Sequence, residues 1–483
     1  MSKNTLPPWL DKYVRALEPL SPERREEFNR QVAGVDWPLI RGLVERYVIN
    51  DGGEDLPIDT AAVQPADFVP IPTTPDEIAE ANDAIAVGEA MLRAGRVGVL
   101  IVAGGQGSRL GYEGPKGTYP IGPVSGSSLF RFHARKILAL GRKFGRQLPV
   151  LVMTSPENDT ATRAHFHENR YFGLDPQKVR FFAQGQLPAV DRDTGDPLFS
   201  EPGRLALSPD GHGGCLYALA RRDASDDLTA LEWLESLNAD TLFYYQVDNP
   251  MVRVADPWFL GLHEKAQSQV SFKVVSKTEP GEKVGVVCVL PDGHKGVIEY
   301  SDLPSELAEK RDAHGRLAFR AGSIAVHVFR TGFLKELATG STRLPFHKAL
   351  KKVPYWDFEN GLKVEPTEPN AVKFEAFIFD TLPMASRSVI VETDRRAEFE
   401  PLKNATGPDS PETVRAALTG VAVNVLSKLG IDIPRDASGR PRFALELDPC
   451  LEDDAEAILA RIGPEKKIDR PLSLFENDRP PAK

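Results

Sequence analysis

The alternation of apolar and polar residues along the chain predicts where its strands and helices lie. Between residue 97 and about residue 275, short apolar runs alternate with segments in which apolar residues recur at helical spacing. The predicted strands are Val97–Ala103, Pro149–Thr154, Val179–Phe182 and Leu242–Val247. The predicted helices are Ser127–Gly141, Asn158–Asn169, Leu228–Asn238 and Asp256–Ala266. Such alternation is typical of a mostly parallel sheet with helices on both faces, so we expect an α/β fold.

The pattern changes on either side of this region. After about residue 270, short strands that favour antiparallel pairing are predicted at Ser271–Val275, Val284–Leu290, Gly296–Tyr300 and Ser323–Phe329. Further helices are predicted at Pro75–Leu92, Pro411–Leu429 and near Glu452–Ile462, and in the N-terminal region at Trp9–Leu17 and from Ser21-Pro22. We therefore expect an N-terminal helical segment (1–70), a central domain (71–395) and a small C-terminal domain (396–483).

Composition and charge restrict the class of protein. The chain has 483 residues, which is more than one ordinary hydrophobic core accommodates. Its formal net charge is −10 and it has no run rich in Lys and Arg, which argues against nucleic acid or an anionic membrane as its main partner. Cys215, Cys288 and Cys450 are widely scattered, so neither a disulfide framework nor a zinc site is expected. Because we find no secretory signal and no apolar run of membrane-spanning length, we expect a cytoplasmic protein.

The strongest chemical signal is the stretch that follows the first predicted strand, VAGGQGSRLGYEGPKG. Gly104, Gly105 and Gly107 allow the backbone to turn tightly and to approach a ligand closely. Arg109 and Lys116 add two cations to the same loop. A buried strand followed by a glycine loop and two cations favours a binding site for a polyphosphate. The alternative is an ordinary strand-to-helix turn with two solvated cations.

The two common nucleotide-binding motifs do not fit this loop. A dinucleotide fingerprint needs a third Gly or Ala where Leu110 stands. A P-loop needs Gly-Lys-Ser/Thr, whereas this chain has Pro115-Lys116-Gly117. A different kind of phosphate site is therefore expected.

Four polar residues outside the loop are further candidates. Asp248 ends a buried strand, where a carboxylate is costly unless it is paired or binds a cation. Oxygen ligands that share a cation with phosphates suit Mg²⁺, although an aspartate before Asn249-Pro250 also makes a good turn. The Gln184 amide could contact a base edge. From the residues alone, Gln184 is better interpreted as a loop residue, and Lys373 and Lys403 as surface lysines.

Six segments of the chain, taken in order, resemble a known family. They are GGQGSRLG with GPKG, FFAQGQLPA, SPDGHGG, VDN, VKFEAFIFD and EFEPLKNA. They are similar to the motifs of the eukaryotic-type UTP-dependent sugar-1-phosphate uridylyltransferases (UDPGP type 1), and more narrowly of the UDP-N-acetylhexosamine pyrophosphorylases. The resemblance covers roughly residues 95–430. It implies a Rossmann-like, GT-A-like nucleotidyltransferase fold with a mixed sheet, in which the central domain is catalytic.

The resemblance also implies a role for each matching residue. The residues implied in UTP binding are Ala103, Gly104, Gly105, Lys116, Gln184, Gly211, Asp248 and Lys373. The residues implied in sugar binding are His212, Glu299 and Ser323. Catalysis is assigned to Arg109, Lys116 and Lys403, and the ligand of the implied Mg²⁺ is Asp248.

Two positions of the implied sugar pocket differ from the family pattern. His212 and Ser323 stand where the family has asparagine, and histidine between two glycines is more typical of the related UDP-glucose and UDP-sugar pyrophosphorylases.

The expected reaction joins UTP and N-acetylglucosamine 1-phosphate to give UDP-sugar and pyrophosphate. The alternatives are a glucose-1-phosphate or broad UDP-sugar pyrophosphorylase, and a nucleotide-sugar-binding protein without catalysis. The expected partners are UTP and a sugar 1-phosphate, with the chain a monomer or a weak homo-oligomer.

Overall fold

The computed structural model describes residues 20–50, 62–222, 227–463 and 466–475. Its α-helices, numbered in chain order, are α1 (Pro22–Ala33), α2 (Trp37–Val44), α3 (Pro75–Ala94), α4 (Leu129–Phe144), α5 (Asp159–Glu168), α6 (Cys215–Ala220), α7 (Ala230–Ser236), α8 (Pro257–Lys265), α9 (Ser305–Glu309), α10 (Thr331–Thr339), α11 (Arg395–Glu398), α12 (Pro411–Lys428) and α13 (Ala455–Ile462). Its strands are β1 (Gln64–Pro65), β2 (Val97–Val102), β3 (Val150–Thr154), β4 (Val179–Ala183), β5 (Gln186–Pro188), β6 (Val190–Asp191), β7 (Phe199–Glu201), β8 (Arg204–Leu205), β9 (Leu207–Pro209), β10 (Thr241–Gln246), β11 (Val270–Ser276), β12 (Val286–Val289), β13 (Lys295–Ile298), β14 (Ala321–Arg330), β15 (Phe346–Lys351), β16 (Tyr355–Asp357), β17 (Leu362–Val364), β18 (Ala371–Ala376), β19 (Ser388–Glu392), β20 (Leu445–Glu446) and β21 (Leu472–Ser473).

The chain divides into two compact units, each assembled from separate stretches. The larger unit takes in the described residues of 62–183, 219–341 and 381–483, and the smaller unit those of 1–61, 184–218 and 342–380. These units are discontinuous in sequence, whereas the predicted segments 1–70, 71–395 and 396–483 follow the chain in order. The three predicted segments stay a prediction.

A mixed sheet organises the larger unit. Its main path runs β1-β12-β14-β10-β2-β3-β4, with β11 paired to β14 and β19, and β13 paired to β12. Strands β10, β2, β3 and β4 are mutually parallel, whereas β14 is antiparallel to both β10 and β11. The carboxyl ends of β2, β10 and β11 therefore lie at one edge of the sheet, which is where α/β proteins bind ligands.

The strands and helices of this unit confirm the sequence pattern. The four strands predicted between residues 97 and 275 are observed to within one residue at each end, and the four later ones to within two. The later strands pair antiparallel as predicted, except that β11 also pairs parallel with β19. The α4 helix runs three residues beyond its predicted end, to Phe144, because Gly145 is the first residue there to adopt a left-handed conformation (φ 70°).

The core of the larger unit is built on the buried strands. Strand β2 is apolar on both faces, and Val97, Val99, Leu100 and Ile101 are no more than 2% exposed. Helices α3 and α8 pack backbone to backbone on this core, since a Cβ on Gly261 would lie 1.7 Å from the Ala84 carbonyl oxygen. Only glycine permits that approach.

The smaller unit consists of short sheets and two N-terminal helices. Strands β15, β18 and β6 form one antiparallel sheet, and β5–β9, β7–β8 and β16–β17 form two-stranded pairs. Helix α1 begins as predicted after Ser21, whose hydroxyl accepts the Arg24 N–H at 3.4 Å. Phe28 and Val32 of this helix pack on Phe199. The helix predicted at Trp9–Leu17 lies outside the described residues.

Among the described residues, no helix combines the length and the apolar character needed to cross a bilayer.

Candidate active site

The glycine loop after β2 is held open by hydrogen bonds from its own backbone and from a buried asparagine. The Gly107 N–H donates to the Gly114 carbonyl at 2.9 Å, and the Lys116 N–H donates to the Gly105 carbonyl at 3.0 Å. The fully buried Asn158 donates from Nδ2 to the Ala103 carbonyl at 3.0 Å. Nothing lies within 4 Å of a Cβ built on Gly105. The loop therefore exposes its backbone at the carboxyl end of the central strand, as a phosphate site requires.

The cation at the end of this loop meets the carboxylate at the end of β10. The Lys116 Nζ lies 3.3 Å from the Asp248 Oδ2, and their side chains are only 19% and 12% exposed. Gly117 fixes this turn, because a Cβ there would lie 2.2 Å from the Phe130 ring. Parallel pairing of β10 with β2 brings the two loops to the same edge of the sheet.

Lys403 reaches the same place from the C-terminal part of the chain. The Leu402 N–H donates to the Asp248 carbonyl at 2.8 Å, and the Lys403 N–H donates to the Asp409 carbonyl at 2.7 Å. Burial raises the pKa of Asp409, the Lys403 charge opposes that rise and the Asp248 charge adds to it. Four charged groups of the larger unit therefore act on one another here: Lys116, Asp248, Lys403 and Asp409.

A buried ionic cluster that the sequence analysis did not find supports this arrangement. The Lys273 side chain is 0% exposed, and its Nζ lies 2.8 Å from the Asp256 Oδ2 and 2.6 Å from the Glu398 Oε2. Burial opposes the charge on Lys273, but the two carboxylates raise its pKa above the ordinary value. The Asn249 Nδ2 donates to the Glu398 carbonyl at 2.8 Å. The segment that precedes Lys403 is therefore tied to the residue that follows Asp248.

Two side chains, Glu446 and Arg415, also hold the backbone of the residues that follow Lys116. The Glu446 carboxylate accepts the Val124 N–H at 2.9 Å and the Ser125 N–H at 2.6 Å. The Arg415 guanidinium donates to the Pro120 carbonyl at 2.9 Å. The C-terminal part of the chain thus fixes the exit of the glycine loop, which the sequence pattern did not indicate.

Arg109 lies in a short 3₁₀ turn, Ser108–Leu110, on the exposed side of the loop. It forms no hydrogen bond or ion pair with another of the described residues. Its guanidinium is therefore available to a ligand.

The predicted sugar residues of the larger unit lie close together. The Ser323 N–H donates to the Gly285 carbonyl at 2.8 Å. A Cβ built on Gly285 would lie 3.1 Å from the Glu299 Oε1. Gly285, which the sequence analysis did not assign, therefore leaves room between Glu299 and the start of β14.

Four predicted residues belong to the smaller unit. Gln184, which begins the 184–218 stretch of this unit, is 6% exposed. Gly211 has φ +86°, and a Cβ there would lie 2.3 Å from the Ala376 carbonyl. Lys373 lies on β18 opposite Ala349, and burial lowers its pKa. The turn that contains Gly211 and His212 is therefore packed against the end of the strand that carries Lys373.

His212 is a neutral hydrogen-bond acceptor at its Nδ1. That atom accepts the Ile378 N–H at 3.1 Å, and the ring stacks on Phe377 with centroids 5.2 Å apart. Burial, with a smaller contribution from His347, lowers the pKa of His212 to about 4. The proton of the neutral ring therefore lies on Nε2, which is a donor where asparagine would offer an amide.

The Asp248 carboxylate suits a divalent ion that also binds substrate phosphates. Among the described side chains only Lys116 hydrogen-bonds to it. No group of three or more His, Cys, Asp and Glu side chains in the described ranges could enclose a metal ion. Mg²⁺ commonly binds through one or two carboxylates, with phosphates and water completing its octahedron.

Comparisons with known proteins give a consistent result. The family model described as UTP–glucose-1-phosphate uridylyltransferase (UDPGP) matches residues 43–407. UDP-N-acetylhexosamine pyrophosphorylase-like protein 1 of Xenopus tropicalis is 40% identical over 409 residues, covering 80% of this chain and 78% of that protein. The UDP-N-acetylglucosamine pyrophosphorylase of Saccharomyces cerevisiae is 38% identical over 345 residues, covering 70% and 71%.

Solved structures show the same fold. The crystal structure of the Trypanosoma brucei uridine diphosphate N-acetylglucosamine pyrophosphorylase, in complex with an inhibitor, matches with a TM-score of 0.77 and 27% identity over 96% of both chains. A UDP-glucose phosphorylase from the same organism matches with a TM-score of 0.62 and 17% identity, over 90% of this chain and 85% of that one.

Proposed function

Since this chain belongs to the UTP–glucose-1-phosphate uridylyltransferase (UDPGP) family, we propose that it transfers a uridylyl group from UTP to N-acetylglucosamine 1-phosphate. The products are UDP-N-acetylglucosamine and pyrophosphate. The observation that carries the proposal is the meeting of Lys116, Asp248 and the Lys403 segment at the carboxyl edge of the sheet. The names of the relatives favour the N-acetylated sugar.

The reaction needs charge neutralisation rather than a protein nucleophile. A phosphate oxygen of the sugar 1-phosphate attacks the α-phosphorus of UTP in line, and the bond to pyrophosphate breaks. Because the attacking oxygen is already ionised, no general base is required. Positioned cations stabilise the charge that develops on the phosphorus oxygens.

In this proposal, the residues of the larger unit bind the phosphates. The backbone of Ala103, Gly104 and Gly105 cradles the triphosphate, while Arg109 and Lys116 stabilise its charge. Lys403 orients the incoming sugar phosphate. A Mg²⁺ held by Asp248 would supply further neutralisation of the phosphates when it is bound.

The remaining candidates recognise the base, the nucleotide phosphates and the sugar. Gln184 and Gly211 contact the uracil end of UTP, and Lys373 contacts its phosphates. Glu299 accepts a sugar hydroxyl. The family resemblance assigns His212 and Ser323 to the sugar as well; the Nε2–H donor of His212 is supported by the hydrogen bond that occupies its Nδ1.

A second acceptor, glucose 1-phosphate, is favoured by one specific observation. The neutral imidazole of His212 presents a single fixed donor, whereas asparagine in the family pattern presents both a donor and an acceptor. A pocket with fewer polar groups discriminates less strongly between sugars with and without an N-acetyl group.

A substrate panel tests the proposal. Pyrophosphate release is measured with UTP, Mg²⁺ and, in turn, N-acetylglucosamine, N-acetylgalactosamine and glucose 1-phosphates. We expect the highest kcat/KM with N-acetylglucosamine 1-phosphate. A preference for glucose 1-phosphate would replace the proposed acceptor with the second one, and the absence of turnover with every sugar would overturn the proposed reaction.

A further inference from the structure

A cavity of about 340 Å³ lies in the larger unit, outside the candidate site. Its walls include Phe68, Lys277, Arg311, Arg316, Arg320 and Glu392. None of the residues assigned above to UTP, the sugar or catalysis lines it. Its volume is in the range of small-molecule sites.

Two of the arginines are held in place by one carboxylate that is not part of the wall. The Asp312 Oδ2 lies 3.0 Å from an Arg316 nitrogen and 3.3 Å from an Arg320 nitrogen. The Asp312 Oδ1 accepts the backbone N–H groups of His314 and Arg316 at 2.9 and 3.0 Å. The Arg320 guanidinium also lies 5.2 Å above the Phe68 ring. The loop is thus preorganised to present both guanidinium groups.

The cavity wall also contains a buried ammonium group with unused hydrogen-bonding capacity. Lys277 is 5% exposed, and its Nζ donates to the Pro280 carbonyl at 3.1 Å. An ammonium has three donors, and this is the single hydrogen bond that Nζ makes with the described residues. A buried charge with unsatisfied donors is costly unless a ligand completes its contacts.

Charge around the cavity is unbalanced. Lys277 and the three arginines carry four positive charges. The Glu392 carboxylate accepts the Ser276 hydroxyl, and with Asp312 it supplies two negative charges. Glu282 also acts electrostatically on Lys277, but it is itself paired with Arg395. The remaining excess of two positive charges matches one phosphate dianion, whose oxygens pair well with arginine forks.

We propose that this cavity binds a small metabolite through its phosphomonoester group, at a site separate from the substrate site. The phosphate contacts Lys277, Arg316 and Arg320, and the Phe68 ring packs against the rest of the ligand. Binding supplies acceptors for the remaining N–H groups of Lys277 and neutralises the excess positive charge. The contacts that Asp312 makes with the two arginines stay in place.

The test uses inorganic phosphate as the probe and the full chain saturated with UDP-N-acetylglucosamine, so that the nucleotide and sugar phosphate positions of the substrate site are filled. Calorimetric titration is expected to show one phosphate bound. Arg316→Gln should weaken that binding about tenfold, as expected for the loss of a charge-assisted hydrogen bond. Arg316 is suited to substitution because its side chain is 57% exposed.

Arg222→Gln is the matched control. The Arg222 side chain is also 57% exposed and forms an ion pair at 3.1 Å with Glu232. It should leave phosphate binding unchanged. Lys277→Met, checked for folding by its melting temperature, should weaken binding at least as much as Arg316→Gln.

A crystal soaked with tungstate gives an independent readout. The anomalous peak is expected between Lys277 and Arg316, and it should be weaker in Arg316→Gln at the same tungstate concentration. The proposal is overturned if the protein saturated with UDP-N-acetylglucosamine binds no phosphate, if Arg316→Gln and Arg222→Gln weaken binding equally, or if tungstate occupies other sites and leaves this cavity empty.

Discussion

At the scale of single residues, Lys116 and Asp248 show how a pair distant in sequence becomes one site. They are 132 positions apart, and the parallel pairing of β2 with β10 brings their side chains to 3.3 Å. Both side chains are largely buried, so their interaction is less screened than a surface pair. A triphosphate that binds there meets a cation already fixed in position, which is the condition for electrostatic catalysis.

Lys116→Ala is expected to lower kcat/KM for uridylyl transfer about a hundredfold, which corresponds to about 3 kcal/mol of lost transition-state stabilisation. The measurement is the steady-state rate of pyrophosphate release. Lys335→Ala is the matched control, since Lys335 forms an ion pair at 3.0 Å with Glu235 away from the site. A loss smaller than about threefold in Lys116→Ala would contradict the role assigned to this lysine.

Stability should fall with acidification because His133 is buried in its neutral form. It is 0% exposed, its ring lies 2.9 Å from the Val247 carbonyl, and burial lowers its pKa to about 3. The unfolded chain binds this proton near pH 6.5 and the folded chain does not, so the stabilisation is complete above pH 6.5 and is lost as the pH falls towards 3. Between these two pH values, His133 changes the free energy of unfolding by about 1.4 kcal/mol per pH unit.

Urea unfolding between pH 7 and pH 5 measures that slope. His133→Gln retains an N–H donor and should show a shallower dependence than the unmodified chain. His314→Gln, which changes an exposed histidine, should leave the slope as it was. An unaltered slope in His133→Gln would refute the assignment.

At the scale of elements, the short α11 helix and the loop after β10 act as one piece. Glu398 of α11 forms an ion pair with Lys273 of β11. The Asn249 side chain hydrogen-bonds to the backbone of Glu398 and of Glu400. The Asn249 Oδ1 accepts the Glu400 N–H at 3.3 Å. Lys403 follows this segment closely in the chain. Its position therefore depends on the contacts of Glu398 and Asn249 as well as on its own backbone hydrogen bond to Asp409.

Asn249→Ala is therefore expected to lower kcat about tenfold, because it removes two hydrogen bonds that align the Lys403 segment with Asp248. The KM for UTP should change less, since the glycine loop is not touched. Asn360→Ala, which removes a turn contact of 2.6 Å to Asp357, serves as the control. A variant that loses melting temperature but keeps kcat would show that Asn249 is structural only.

At the scale of the whole molecule, the end of the chain stabilises the larger unit. Arg135 of α4 and Asp448 form an ion pair at 2.7 Å, with side chains 3% and 0% exposed. Glu446 holds residues 124 and 125 from the same region. The C-terminal part of the chain is thus a support for the loop that follows Lys116.

Asp448→Ala should lower the free energy of unfolding by about 3 to 5 kcal/mol, because it leaves a buried guanidinium without its partner. The control is Asp453→Ala, which breaks an exposed pair with Lys143 at 3.2 Å and should cost no more than about 1 kcal/mol. Chemical denaturation of both variants gives the comparison. Equal losses would contradict the difference in burial on which the prediction depends.

The periodicity of the sequence predicted most elements of the larger unit, since strands such as β2 are buried on both faces and show it directly in their residues. The resemblance to a family then selected the loop residues that spacing alone left open. Asn158, Lys273, Gly285 and Glu446 were missed, because nothing local distinguishes a buried asparagine, lysine, glycine or glutamate from a surface one. Their roles come from contacts with distant segments.

The sequence by itself determined the α/β pattern, the glycine loop after the first strand and the family to which the chain belongs, because local hydrophobic periodicity and short motifs are properties of neighbouring residues. Only the tertiary structure decided that β14 pairs with β10 in the same sheet, that Lys116 meets Asp248, and that Lys277 and three arginines line one cavity. Those facts depend on strand order and on the packing of segments far apart in the chain, which no local pattern encodes.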